Sequence, residues 1–394
     1  MPNKLPPQAN LDHIKKQAKH LLKSAQNGDK TALERFSKCH PKHSNGVNRP
    51  ENLKLHEAQL VIAREFDLAS WSQLVLAFES DRQAKTNSPI LVITNGLSAV
   101  RALELADLPG RKEEWLEVLH DGPVPQTKDR SELNRIRARH IASLGWSSEE
   151  GAYQRFKQRD RLLALHSNYD QLQLWFEHDL FDQLQLLQIL DTVSEIPEWH
   201  EKTVLIQSDH FLAELPSDTL AEKVNARISI DRSHLHLAKR AWNVFRSSEQ
   251  SALPSYVETE TFTALPHLEA ALKRLLEERP DPKDGLGRTE RQILEAVAVG
   301  SRNPGAIFRF SQQMEEAAFM GDLSFFSIVD RLTSGIDSPL LVESHPSLFA
   351  NANPLSFDSF KERTIHLSDT GLKIVAGQQP YRNQPYSIGG CRFP

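Results

Sequence analysis

The chain has 394 residues, of which 39% are hydrophobic and 25% are charged, and its net charge is −5 at pH 7. This length predicts about two to four domains with substantial hydrophobic cores. The slightly acidic balance excludes a nucleic-acid binder that is basic over its whole surface, and it leaves open only a local basic patch.

The two cysteines, Cys39 and Cys391, lie near opposite ends of the sequence. This count excludes a disulfide framework and a Cys-x-x-Cys metal knuckle, and it favours a reducing compartment. The first residues lack the apolar core of a signal peptide, and no apolar run is long enough to span a bilayer. We therefore expect a cytoplasmic protein without a membrane-inserted segment.

Residues 1–82 predict a small all-helical module, because apolar residues recur there at helical spacing in four short segments. The last two segments cover residues 57–66 and 71–78, and the second of these has a capping pair, Ser70 and Gln73. Residues 39–52 are polar and rich in His, Asn and Pro, which indicates a loop.

The helical module resembles the segment found at the N-terminus of many bacterial ankyrin-repeat proteins. The similarity rests on the run at residues 15–19 and on residues 59–66 with Trp71. No ankyrin repeats follow, so the resemblance implies no chemistry, and binding of a protein partner is the role we expect for residues 1–82. A polar linker at residues 81–88 follows.

Residues 88–230 predict an α/β domain. Buried-strand runs at residues 89–94, 115–119, 172–176 and 203–206 alternate with helical patterns. Strands that alternate with helices imply a mainly parallel sheet with flanking helices. This sheet defines the predicted fold class, α/β, with a small all-α module before it.

Two further regions follow, a helical connector at residues 231–283 and a C-terminal domain at residues 284–394. Three helices and then two strands in the C-terminal domain are the order of a winged helix. Its third helix offers only Arg331 next to Asp330, and the preceding helix carries acidic residues. This charge pattern argues against specific DNA binding and favours a structural or dimerising role.

Polar residues follow each of the four predicted strands, and in a parallel sheet the carboxyl ends of the strands meet at one edge. The sequence therefore predicts a ligand-binding or catalytic site there. The residues are Asn95, Gly96 and Ser98; His120 and Asp121; Glu177, His178, Asp179 and Asp182; and Asp209 and His210.

Asn95, Gly96 and Ser98 open a helix directly after the first strand. Backbone N–H groups and the helix dipole at such a position suit a phosphate or carboxylate, so a small anionic ligand is one prediction. Plain capping of the helix by Asn95 or Ser98 is the alternative.

The densest cluster is Glu177, His178, Asp179 and Asp182. Capping explains Asp179 and Asp182 but leaves Glu177 and His178 without a role. Neighbouring carboxylates need a shared proton or a cation, so a divalent metal and a protonated general acid both stay open. His120 is a candidate acid/base or metal ligand, unless Asp121 and Gly122 merely form a turn.

Basic residues concentrate on the predicted helix over residues 130–143. They could hold an anion near the sheet edge, but a solvated helix face is the favoured interpretation.

Three motifs carry a resemblance: residues 93–99, the His-Asp-Gly-Pro motif at residues 120–123, and the Trp-Phe-Glu-His-Asp motif at residues 175–179. The similarity continues at residues 241–242, 265–268, 288–292 and 319–322, and it covers about residues 89–377. They are similar to the signatures of a bacterial family labelled only as domain of unknown function 1835. The family's usual Arg-Trp-Leu-Gly-Gly-like ending is replaced here by the sequence at residues 386–391. The resemblance implies a family and no established reaction.

Two hypotheses follow. The first is an enzyme, hydrolase- or transferase-like, acting on a small anionic or phosphorylated ligand, with His120, Asp121, Glu177 and His178 in catalysis and Asn95, Gly96, Ser98, Asp179 and Asp182 in ligand binding. The second is a regulatory or scaffolding protein that uses its helical and winged-helix-like regions to bind a partner.

Overall fold

The computed structural model describes residues 11–43, 46–47, 49–65, 70–72, 74–75, 89–334, 337–342, 363–382 and 385–393. The chain divides into two compact units, Met1–Asn87 and Ser88–Pro394. In the described part of the chain, no helix combines the length and the apolar character needed to cross a membrane.

The first unit is helical, as the apolar spacing predicts. Its helices are α1 (Leu11–Gln26), α2 (Lys30–Cys39) and α3 (Leu55–Glu65), with short 3₁₀ turns at Pro41–His43 and Pro50–Asn52. Ile14, Leu21, Phe36 and Val61 are buried together in its core. Half of the predicted helix over residues 71–78, including its capping residue Gln73, and the linker at residues 81–88 lie outside the described residues.

The second unit is built on a five-stranded sheet. Its strands are β1 (Ile90–Thr94), β2 (Arg111–Glu114), β4 (Gln171–Glu177), β5 (Thr203–Ser208) and β6 (Ile228–Ser229). They lie in the order β2-β1-β4-β5-β6, and all neighbouring strands are parallel except β5 and β6. This arrangement confirms the predicted α/β class with a mainly parallel sheet.

Helices cover both faces of this sheet. Successive side chains of a strand point to opposite faces, so one strand contributes to the hydrophobic core on each side. Leu91 and Ile93 belong to one hydrophobic core, and Val92 belongs to another with Trp175. The helices up to residue 276 are α4 (Leu97–Leu105), α5 (Arg130–Ser143), α6 (Glu149–Ala164), α7 (Leu180–Ser194), α8 (Ser217–Asn225), α9 (Arg232–Phe245), α10 (Ala252–Thr259) and α11 (Leu268–Leu276).

The predicted strand at residues 115–119 is wrong. The second strand is β2, a polar edge strand whose sequence Arg-Lys-Glu-Glu gives no buried-strand signal. Trp115 and Leu119 are buried, but between them Leu116 has a φ of +40°, which an extended strand cannot contain. The apolar run therefore packs into the core as irregular chain.

The C-terminal region has the predicted order of three helices followed by two antiparallel strands. They are α12 (Arg288–Ala298), α13 (Pro304–Gln313), α14 (Asp322–Leu332), β7 (Leu340–Val342) and β8 (Ile365–Leu367), followed by α15 (Asp369–Val375). Their identity as a winged helix stays a prediction. The turn-rich stretch between the two strands lies mostly outside the described residues.

The chain closes with an antiparallel hairpin of β9 (Tyr386–Gly389) and β10 (Cys391–Phe393). Strand β9 also pairs in parallel with the two-residue strand β3 (Gly122–Pro123), which is part of the His-Asp-Gly-Pro motif. One hydrophobic core includes residues from Leu91 to Phe393, so the three regions predicted within residues 88–394 share their packing.

Candidate functional site

Three carboxylates meet where strand β4 passes into helix α7. Glu177 is the last residue of the strand, Asp179 is the N-cap of the helix, and Asp182 lies in its first turn. One carboxylate oxygen from each lies within 4.8 Å of the others, and all three residues are buried. The sequence prediction of a charged cluster at this strand end agrees with this placement.

Local hydrogen bonds fix the three side chains. The Asp182 N–H donates to Asp179 Oδ1 over 3.2 Å, which is the capping bond, and the Glu177 N–H donates to Asp182 Oδ1 over 2.6 Å. The Leu212 N–H donates to Glu177 Oε1 over 2.6 Å. Because only backbone groups make these bonds, they orient the carboxylates without supplying a neutralising side-chain charge.

Asn95 ties the first strand to this cluster. Its Nδ2 donates to Glu177 Oε2 over 3.1 Å and to Asp182 Oδ2 over 2.6 Å. The side chain therefore bridges two carboxylates and does not cap helix α4, which begins after Gly96 without a side-chain cap. Gly96 and the exposed Ser98 stay at the start of that helix, where backbone N–H groups of the first turn have no intrahelical partner.

Burial raises the pKa of all three carboxyl groups, and repulsion within the cluster adds to the shift at Asp179 and Asp182. Burial is the main cause for each; the charge of Glu177 adds to it at Asp179, whose pKa rises to about 7. The pKa of Asp182 lies well above its ordinary value because burial is joined by the charges of Asp179 and Glu177. The pKa of Glu177 is also raised, although the Leu212 N–H opposes the shift.

Among the described residues, no Lys, Arg or His forms an ion pair with Glu177, Asp179 or Asp182. Buried carboxylates this close must share protons or gain a cation, since paired negative charge in a low-dielectric site is strongly unfavourable. Clustered carboxylate oxygens are ligands that Mg²⁺, Mn²⁺ and Ca²⁺ prefer. The arrangement can therefore hold a divalent cation or a proton.

His178 lies beside residues of two other segments. Its ring centroid is 5.7 Å from that of Phe211 and 6.1 Å from that of His267, and its Nδ1 has no hydrogen-bond partner in the described chain. Burial lowers the pKa of both His178 and His267, so both are neutral bases near pH 7. Sequence reasoning missed His267, because it lies in the connector, where no strand end drew attention to it.

Asp209 and His210 follow strand β5 as predicted, but both side chains are largely exposed. His210 Nδ1 lies 2.9 Å from Asp209 Oδ1, and Asp209 also lies within ion-pair distance of Lys223. Asp209 and His210 thus interact with each other at the surface, and they contribute no ligand atom or charge partner to the buried carboxylates.

His120 occupies a different environment from His178. Its ring lies 6.0 Å from that of Phe181 and 5.1 Å from that of Phe319, and neither ring nitrogen has a hydrogen-bond partner among the described residues. Burial lowers its pKa to about 4. His120 and His178 therefore both lie near the start of helix α7, but each packs against different aromatic rings. Among the described residues they do not contact each other.

Asp121 belongs to a second polar cluster with His140 and Arg331. Asp121 Oδ2 lies 3.5 Å from His140 Nε2. Burial raises the pKa of Asp121, but the interactions with His140 and with Arg331 outweigh it and leave the pKa below its ordinary value. Asp121 is therefore an ionised carboxylate next to the C-terminal region, and no described contact joins it to Glu177.

The basic residues of helix α5 are not all solvated. The sequence interpretation of a solvated helix face is wrong at Arg137. Arg137 is fully buried, and its guanidinium donates to Glu117 Oε1 over 3.1 Å and to the Asp121 carbonyl over 2.8 Å. Arg159 from helix α6 donates to the other oxygen of Glu117 over 2.5 Å. Helical spacing placed Arg137 on the surface because its partner, Glu117, comes from irregular chain outside the helix.

The fold and this geometry define a mixed α/β protein with a buried acidic cluster at the carboxyl edge of a mainly parallel sheet. Comparison of the chain with protein-family models gave no match, and comparison with curated proteins gave no significant relative.

Proposed function

We propose that the unit 88–394 is an enzyme that binds a divalent cation through Glu177, Asp179 and Asp182 and acts on a small anionic or phosphorylated ligand, as a hydrolase or transferase. The observation that carries the proposal is the set of three buried carboxylates within 4.8 Å, without an ion-pair partner among the described residues. Structural proteins rarely bury such charge without pairing it, because each unpaired charge costs several kcal/mol (about 3 or more).

In this proposal the chain's residues have separate roles. Glu177, Asp179 and Asp182 supply oxygen ligands, and Asn95 fixes the orientation of two of them. The first turn of helix α4, at Gly96 and Ser98, binds the anion, since its N–H groups and the helix dipole favour negative charge. A bound divalent cation would polarise the ligand's oxygen atoms and offset negative charge as it develops.

His178 is the candidate general base or acid, because it is neutral near pH 7 and its Nδ1 has no described partner. His120, beside Phe181 and Phe319, and Asp121, beside His140, stay candidates from the sequence. The resemblance of residues 89–377 to the family of unknown function likewise stays a proposal, supported by the placement of the Trp-Phe-Glu-His-Asp motif at the sheet edge.

The proposal is tested on the purified full chain by two measurements, cation binding by calorimetry with Mg²⁺ and Mn²⁺ and turnover of a panel of phosphate esters and anhydrides. We expect Asp179→Asn to abolish cation binding and His178→Ala to abolish turnover while binding is retained. Glu222→Gln, which alters an exposed carboxylate on helix α8, is the matched control. Undiminished cation binding by Asp179→Asn, or no binding by the wild type, contradicts the proposal.

A second candidate function is partner binding by the winged-helix-like region. Leu341 on strand β7 and Leu372 on helix α15 are 53% and 56% exposed, so this region presents apolar side chains to solvent. Arg331 donates to Glu290 over 3.0 Å, so its charge is already paired and does not favour DNA. Scaffolding is favoured over catalysis if a cellular phenotype survives Asp179→Asn but is lost in one of two other variants. These are the double variant Leu341→Asp with Leu372→Asp and the deletion of residues 1–82.

A further inference from the structure

His40, His43 and Glu57 form a second group of potential metal ligands, in the helical unit Met1–Asn87. One ligand atom from each lies within 4.8 Å of the other two, and His40 and Glu57 are buried. The histidines lie at the end of helix α2 and in the 3₁₀ turn after it, whereas Glu57 lies in the first turn of helix α3. The group therefore joins two elements across the polar segment predicted as a loop.

The contacts leave the ligand atoms facing one another. Glu57 Oε2 accepts a hydrogen bond from the Lys54 N–H over 2.9 Å, while Glu57 Oε1 faces His43 Nε2 at 3.4 Å. The His40 and His43 ring centroids are 4.8 Å apart, and the Lys42 N–H donates to His40 Nδ1 over 3.2 Å. One carboxylate oxygen is thus held by the backbone while the other stays directed at an imidazole.

A bound metal needs unprotonated imidazoles at His40 and His43 and an ionised carboxylate at Glu57, because only these forms can donate electron pairs.

We propose that His40, His43 and Glu57 bind a divalent transition metal of the Zn²⁺ class. Two imidazoles and one carboxylate are a ligand set that Zn²⁺ accepts, with a fourth position left to water or another ligand. The mixed nitrogen and oxygen donors distinguish this site from the all-carboxylate cluster at the sheet edge, which suits Mg²⁺ or Mn²⁺. The bound metal would tie the end of helix α2 to the start of helix α3 and so stabilise the helical unit.

The test uses the full chain, stripped of metal by a chelator and titrated with Co²⁺ as a spectroscopic probe that Zn²⁺ then displaces. We expect visible absorption of imidazole-bound Co²⁺ in the wild type and in Asp179→Asn. We expect its loss in His43→Gln and Glu57→Gln. His56→Ala, an exposed histidine next to Glu57, is the matched control that keeps the absorption.

Circular dichroism separates loss of the site from loss of the fold, and His40→Gln is the second variant if His43→Gln does not fold. Absorption that persists in both folded histidine variants overturns the proposal. So does absorption that is lost in Asp179→Asn alone, because the metal then lies in the acidic cluster. Absence of wild-type binding up to about millimolar Co²⁺ also overturns it.

Discussion

Asn95 Nδ2 lies 2.6 Å from Asp182 Oδ2, although 87 positions separate the two residues in the chain. The contact joins the end of strand β1 to the first turn of helix α7, because β1 and β4 are parallel neighbours in the sheet. A residue that the sequence suggests as a helix cap or anion ligand is thus a positioning residue for buried carboxylates.

The unfolding free energy of the metal-free protein should fall as pH rises from about 4 to about 7 and then level off. Asp179 has its pKa raised from 3.8 to about 7, so its contribution to stability is complete below 3.8 and is lost progressively as pH rises from 3.8 to about 7. Urea unfolding with a chelator present measures this, and Mg²⁺ should remove the loss. A stability that is flat over this range, with or without Mg²⁺, contradicts the assignment.

Asp179→Asn should raise stability by on the order of 1–2 kcal/mol at about pH 8 without divalent cations. The amide oxygen can still accept the capping hydrogen bond from Asp182, and Asn is as good an N-cap as Asp, so only the charge is removed. In saturating Mg²⁺ the order should reverse, with the wild type more stable. If the two proteins are equally stable under both conditions, the charge of Asp179 does not destabilise the metal-free protein, and the prediction is wrong.

Glu117→Gln should destabilise the protein by about 3–5 kcal/mol, because it leaves the buried Arg137 guanidinium without a carboxylate and leaves the buried Arg159 with Asp160 alone. Arg137 and Arg159 donate to opposite oxygens of Glu117, and all three side chains are buried. Glu149→Gln breaks an exposed ion pair with Arg139 and should change stability by less than about 1 kcal/mol. Thermal and urea unfolding compare the two variants, and similar effects would refute the structural role of Glu117.

His120→Phe, or the smaller His120→Leu, should make the protein more stable by about 1 kcal/mol and less sensitive to acid. Burial lowers the pKa of His120 to about 4, so the buried ring resists protonation. The unfolding free energy of the wild type is therefore full above pH 6.5 and falls as pH drops from 6.5 towards 4. The replacements remove two ring nitrogens that lack described partners between Phe181 and Phe319. Destabilisation by both variants near pH 7 would mean that these nitrogens make hydrogen bonds in solution.

Strands β1, β4 and β5 are readable from the sequence because each is an apolar run that ends abruptly in polar residues. Strand β2 is not, since an edge strand with the sequence Arg-Lys-Glu-Glu carries a surface pattern. The carboxylates of the candidate site follow one another in the chain, so their clustering could be predicted. The contact of Asn95 with them could not, because it depends on which strands are neighbours.

Buried charge is the feature that sequence periodicity misses most clearly. Arg137 has the spacing of an exposed helical residue, and its burial depends on Glu117 from a distant irregular segment. His40 and His43 likewise lie in a stretch whose composition predicts only a loop, and their proximity to Glu57 requires the packing of helices α2 and α3. In both cases the burial and contacts of the residue depend on a partner from another segment, which the local sequence pattern does not reveal.

The pairing of strand β3 with strand β9 has a consequence for synthesis of the chain. The Val124 N–H donates to the Gly389 carbonyl over 2.6 Å, so the segment after the His-Asp-Gly-Pro motif gains its backbone partner only once residues near 389 have emerged from the ribosome. Until then Gly122 and Pro123 have no strand beside them, and the surroundings of Asp121 are incomplete. This part of the unit must therefore acquire its native form late, after translation has passed the C-terminal hairpin.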